Sequence, residues 1–108
     1  MLVTTTASLE GRRITRYLGL VNGEAILGVN IAKDLFASVR DVIGGRSNTY
    51  EQELDRARDL AINEMVAQAQ SFGANAVIGV DLDYETLGNG GSMLMVAAAG
   101  TAVVYEDL

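Results

Sequence analysis

The residues best equipped for chemistry are three carboxylates at alternate positions, Asp81, Asp83 and Glu85. On an extended strand, alternate side chains share a face and lie ~6.5–7 Å apart. Neighbours at that spacing can share one hard divalent cation through oxygen ligands. Two such carboxylates can also divide acid and base roles. The ordinary alternative is a solvated acidic face beside a turn, because exposed acids are the common case. A second candidate is Gly44-Gly45-Arg46-Ser47, which leads into the start of a predicted helix. Backbone N–H groups and the helix dipole favour an anion there, and Arg46 adds a fork of donors. The spacing of a full phosphate-binding loop is absent, and an Arg46 that pairs with a carboxylate across a subunit boundary explains the same residues. Met93 and Met95 offer thioethers, but core filling is their usual role.

Composition narrows the chemistry further. The chain has no Cys and no His. That removes thiolate nucleophiles, the commonest general base and the commonest metal ligand. No nucleophile–base pair is visible, so the reading leans away from an enzyme. Eight basic residues against 14 acidic ones leave a formal charge of −6. This disfavours nucleic acid and anionic membrane surfaces as partners. No apolar run approaches the ~20 residues of a membrane span. The N-terminus lacks the apolar segment of a signal peptide, so a cytoplasmic protein is expected. A length of 108 residues predicts a single domain over 1–108. With two Phe and no Trp, its core must be aliphatic and small.

The elements that position these residues are organised around Asn48 to Glu85. Asn48 with Glu51, or Thr49 with Gln52, makes a capping box. Leu54, Ala57, Ala61, Met65 and Phe72 then recur at helical spacing, with Ile62, Val66 and Ala69 beside them. Gly73 is placed to stop the helix. From Ala74 the period changes to two. Ala76, Ile78, Val80, Leu82 and Tyr84 form one face, expected to meet the helix, and the acidic row lies on the other.

Leu2 to Thr6 reads as a short edge or swapped strand, and Ser8 to Gly11 as a turn. Arg12, Arg13 and Arg16 read as a solvated strand end pairing with local acids. Ile14 to Val29 is strand-like, with Asn22-Gly23 either a hairpin turn or a bulge in one long strand. A short helix is predicted from about Ala32 to Ile43, ended by Gly44-Gly45. Thr86 to Gly91 is a turn, and Ser92 to Tyr105 the last strand. That strand is apolar on both faces, which calls for a cover on both sides. Two helices in one domain cannot easily supply it, so a second subunit is the natural cover. The small run Ala97 to Gly100 suits close approach of another backbone or a ligand. Leu60 and Ala67 fall outside the helix's core stripe and suggest a second contact face.

Several motifs together resemble the YbjQ-like family. They are Val3-Thr4-Thr5-Thr6, Tyr17-Leu18-Gly19, Gly44-Gly45-Arg46-Ser47 with Tyr50-Glu51, Gly73 to Val77, Asp81 to Glu85, and Gly91 to Val96. The family consists of small bacterial and archaeal proteins labelled "putative heavy-metal-binding". The resemblance implies an α+β, dodecin-like subunit, a long helix on a three-stranded antiparallel meander, assembled as a homopentameric ring. It makes Ile14 to Val29 one strand, with Asn22-Gly23 as the bulge. Tyr50 joins Gly44 to Ser47 as a ligand or interface set. The expected function is a non-enzymatic module, binding a small ligand or a divalent cation between its own copies. The alternatives are a hydrolase using Asp81, Asp83 and Glu85, or a structural, stress-related scaffold.

Overall fold

The computed structural model describes residues 1–28, 48–88 and 93–108. Its described elements are one helix, α1 (Asn48–Ser71), and four strands. The strands are β1 (Leu2–Val3), β2 (Arg12–Leu27), β3 (Ala76–Leu87) and β4 (Met93–Asp107). The predicted helix at Ala32 to Ile43 lies outside the described residues.

Helix α1 starts at Asn48 and ends at Ser71, and Gly73 takes a φ of 86° just beyond it. An L side chain resists that conformation, so Gly73 is where the chain can turn out of the helix. Ala57, Ala61, Met65 and Ala69 are fully buried beneath it, flanked by partly buried Leu54 and Ile62. Phe72 does not join this stripe: it is 45 % exposed. Past the last helical turn it no longer follows the helical period that put it there.

The sheet order is β1-β3-β4-β2. Strand β4 is antiparallel to both neighbours, while β1 adds to β3 in parallel, so the sheet is four-stranded and mixed. This corrects the expected three-stranded meander. A helix-length connection carries the chain back before β3 begins. Strands β2 and β3 therefore run the same way, on opposite sides of β4. The N-terminal segment stays on β3 beyond β1, through Thr4 N–H to the Val77 carbonyl at 3.0 Å and Gly79 N–H to the Thr6 carbonyl at 2.8 Å. The Ser8 to Gly11 turn is present, closed by Arg12 N–H on the Leu9 carbonyl at 3.2 Å.

Strand β2 is continuous, and Asn22 and Gly23 sit in regular register opposite Ala99 and Ala98. The irregularities fall instead between Ile14 and Arg16 and between Tyr17 and Gly19. The bulge expected at Asn22-Gly23 is therefore misplaced. Gly23 is glycine for another reason. A Cβ there would sit 2.6 Å from the Met65 nitrogen and would collide with the Ala61 carbonyl oxygen. The helix backbone rests directly on β2 at this point. One residue away, Asn22 N–H donates to the Gln68 Oε1 at 2.8 Å. That bond satisfies one donor of an otherwise open sheet edge.

Strand β3 also departs from simple alternation. Its register with β4 shifts between Ile78 and Asp81, where Gly79 adopts a φ of 61°. The extra residue reverses the faces. Val77, Val80 and Leu82 pack with the helix, whereas Ala76 and Ile78 join Val103 in a small cluster with Leu9, Ile14 and Tyr105. Ala76 and Ile78, expected under the helix, are thus on the opposite face.

Replacing Gly23 with Ala should cost ~1–3 kcal/mol, because neither obstructing atom belongs to a side chain that can swing away. Gly28→Ala, with nothing within 4 Å, should be near neutral. Urea denaturation of the two variants checks the contrast.

Candidate functional site

The helix covers one face of the sheet, and the acidic row stands on the other. Partner registers place that open face row by row. Asn22, Ala99 and Asp81 form one row across β2, β4 and β3. Glu24, Ala97 and Asp83 form the next, and Ile26, Met95 and Glu85 the third. Asp81, Asp83 and Glu85 are all exposed. They share one face as predicted, because the bulge at Gly79 precedes all three.

Glu24 is a residue that sequence reasoning missed. It lies across Ala97 from Asp83, two strand spacings or ~10 Å away between Cα atoms. The alternation Leu20, Asn22, Glu24, Ile26 signals its face once β2 is taken as a single strand. Alanine at the centre of the row leaves a shallow valley between the two acids.

Asp81 and Asp83 are close enough to interact. Repulsion from the Asp81 carboxylate holds the Asp83 carboxyl above its ordinary value of 3.8. A hydrogen bond with Asp81, slight desolvation and the charge of Glu85 act in the same direction. Asp83 therefore keeps its proton to a higher pH than an isolated aspartate does. Among the described residues, no three Asp or Glu side chains converge closely enough to enclose a metal ion.

The basic cluster is at the far end of the sheet. Arg12 pairs with Asp107 at 3.6 Å and lies 4.8 Å from the centre of the Tyr105 ring. Arg13 pairs with Glu106 at 3.4 Å. These are the solvated strand-end pairs expected of them, with Glu106 and Asp107 at the end of β4. Of the other candidate set, Gly44, Gly45, Arg46 and Ser47 lie outside the described residues. Tyr50 is in the first turn of α1.

Together these features define a small α+β domain whose exposed chemistry is carboxylate oxygen beside apolar surface. A family profile described as "Putative heavy-metal-binding" matches residues 1–106. The chain belongs to that family, the YbjQ family. It is also similar to a solved structure from Pediococcus pentosaceus ATCC 25745, a protein of unknown function of the DUF74 family. The identity is 18 %, with a TM-score of 0.70 and 98 % of each chain covered, a likeness of fold. The donor set does not fit a soft heavy metal. Such ions select thiolate or imidazole, and the sequence contains neither Cys nor His. Of its four methionines, Met65 is fully buried beneath the helix.

The raised Asp83 carboxyl has a consequence for stability. A proton held more tightly in the folded state makes stability fall as pH rises through the interval just above 3.8. Asp83→Asn should remove that loss. The variant should melt slightly higher than the parent at neutral pH, and the difference should vanish on acidification below both carboxyl values. Thermal melts across that pH range check the sign.

Proposed function

We propose that the protein is a non-enzymatic, homo-oligomeric binding module that takes hard cations or a small ligand at the boundaries between its copies. One observation carries this reading: the sheet face away from the helix exposes large apolar side chains. Tyr17 is 69 % exposed, Leu20 83 % and Ile26 56 %. Their partners on β4, Val103, Thr101 and Met95, place all three on that face. Leaving such side chains in water forgoes ~1.5–3 kcal/mol each. A patch of this kind marks a surface that another molecule covers.

The shape of the chain supports the same reading. Its radius of gyration is 16.8 Å, against ~13 Å for a compact domain of this length. The subunit is a slab of 53 × 27 × 16 Å, with little depth in which to bury its own second face. In this reading the fold is a dodecin-like subunit, and five copies close a ring. The number five follows from the family resemblance, not from the geometry of one chain. The carboxylates Asp81, Asp83 and Glu85 supply oxygen ligands, which suit calcium or manganese rather than cadmium.

A second reading draws on the raised Asp83 carboxyl. The Asp83 carboxyl, raised by the charges of Asp81 and Glu85, is the kind of perturbed group that an acid–base hydrolase uses. Loss of turnover in Asp83→Asn would favour it.

Two measurements test the main reading. Light scattering coupled to size exclusion should give a closed multimer at micromolar concentration; a stable monomer would sink it. Calorimetry should show weak binding of calcium or manganese, reduced in Asp81→Asn/Asp83→Asn. Tight, stoichiometric cadmium or zinc binding would show that the ligand set is misread.

A further inference from the structure

The open face is matched by a surface elsewhere on the same chain. On α1, Arg56, Leu60, Asn63 and Ala67 recur at steps of four, three and four residues. They form a stripe on the side of the helix away from its buried row of Ala57, Ala61, Met65 and Ala69. Leu60 is 54 % exposed there, and Ala67 is exposed as well. A leucine and an alanine two turns apart, with no long side chain between them, make a helix face that can approach a sheet closely. On the open face, Ala97 and Ala99 line the middle of β4 between the taller side chains of β2 and the acids of β3. That valley has an alanine floor, with Asn22 and Glu24 along one wall and the β3 acids along the other, and it can seat a rod ~10 Å wide.

We propose that α1 of a second copy of this chain lies in the Ala97–Ala99 valley, with Arg56 of the partner subunit over the Asp81–Asp83–Glu85 row. The proposal rests on the homo-oligomeric reading and names the two surfaces that meet. Charge sets the direction. Arg56 lies toward the helix N-terminus, and Glu64 flanks the stripe two turns later, ~12 Å along the axis. The sheet has the complementary order. Its acidic row pairs with Met95 to Ala99, and Arg12 and Arg13 stand at the opposite end of β4 beside Asp107 and Glu106. Among the described residues, Arg56 has a long contact with Glu53, 3.9 Å, to give up.

The chain's own helix runs in the same sense, from the acidic end to the arginine end. Gly23 meets Ala61 and Met65, Asn22 meets Gln68, and Asn75 beyond the helix holds both backbone groups of Tyr105. The partner helix and the chain's own helix are then parallel on opposite faces of one sheet. Identical subunits stacked face to back in this way use two different surfaces. Such a contact is heterologous, so it repeats from copy to copy and closes a ring when the rotation between copies allows it. A face-to-face dimer would instead bring the two valleys together and leave both helix stripes in water.

The chain has no cysteine, which makes cross-linking direct. Leu60→Cys is combined in turn with Ala97→Cys and Ala99→Cys, and the full-length variants are oxidised. The expected result is a ladder of disulfide-linked chains in at least one double variant, with none in any single variant. Cross-linking in Ala97→Cys or Ala99→Cys alone would show sheet against sheet and overturn the proposal. Double variants that stay unlinked while light scattering still reports the multimer would overturn it too, and would leave the oligomeric reading intact. In a second arm, Arg56→Glu should weaken assembly by about tenfold or more, and adding Asp83→Arg should restore it. Arg56→Glu that assembles as well as the parent would remove the charge pairing.

Discussion

Everything in this domain follows from how closely one helix lies on one strand. At Gly23 the backbone of α1 occupies the space where a side chain would be. Small residues continue the contact on the helix side, at Ala57, Ala61 and Ala69, with Met65 filling the remaining volume. Short side chains leave little apolar area per residue, so proximity must compensate. Close packing recovers dispersion contacts that a looser interface would lose. The same closeness lets Gln68 reach the Asn22 amide on the sheet edge.

A helix held over β2 and β4 has consequences for the rest of the sheet. It buries Val21, Leu27, Leu94, Val96, Ala98 and Ala102 on one face and touches nothing on the other. Among the described residues, cover for the second face comes at one end, where Leu9 sits on Ala76, Ile78 and Val103. The bulge at Gly79 serves both arrangements. Before it, Ala76 and Ile78 face Leu9; after it, Val80 and Leu82 face the helix, and the acids are turned outward. With regular alternation from Val77 onward, the acids would lie under the helix and Val80 and Leu82 would face away from it. One glycine therefore decides where the carboxylates stand.

What was legible in the sequence was local. Gly73 marks the end of the helix through a conformation that depends only on adjacent residues. The two-faced apolar pattern of β4 shows that covers are needed on both sides. What was not legible depends on distant partners. Asn22-Gly23 carries the signature of a turn, and only the helix crossing it, some forty residues later in the chain, explains the glycine. Gly79 fits the alternating pattern as well as any residue, so the phase reversal is invisible until β4 supplies the register. Glu24 joins the acidic face through the same pairing. The site was thus half readable: its β3 row from spacing, and its β2 member only from topology.

The family's description as heavy-metal-binding and the chemistry of this chain pull in different directions, and donor softness decides between them. Carboxylate oxygens hold hard ions through charge, and alternate strand positions space them too widely for one chain to close a cage. Apposing copies could bring further oxygens to the row, or an arginine that removes the need for an ion. Either outcome neutralises a row of like charges that already raises its central member's pKa. The acidic row is better understood as an unbalanced charge than as a preformed metal site, and under the proposed assembly the group that balances it would also set how the copies stack.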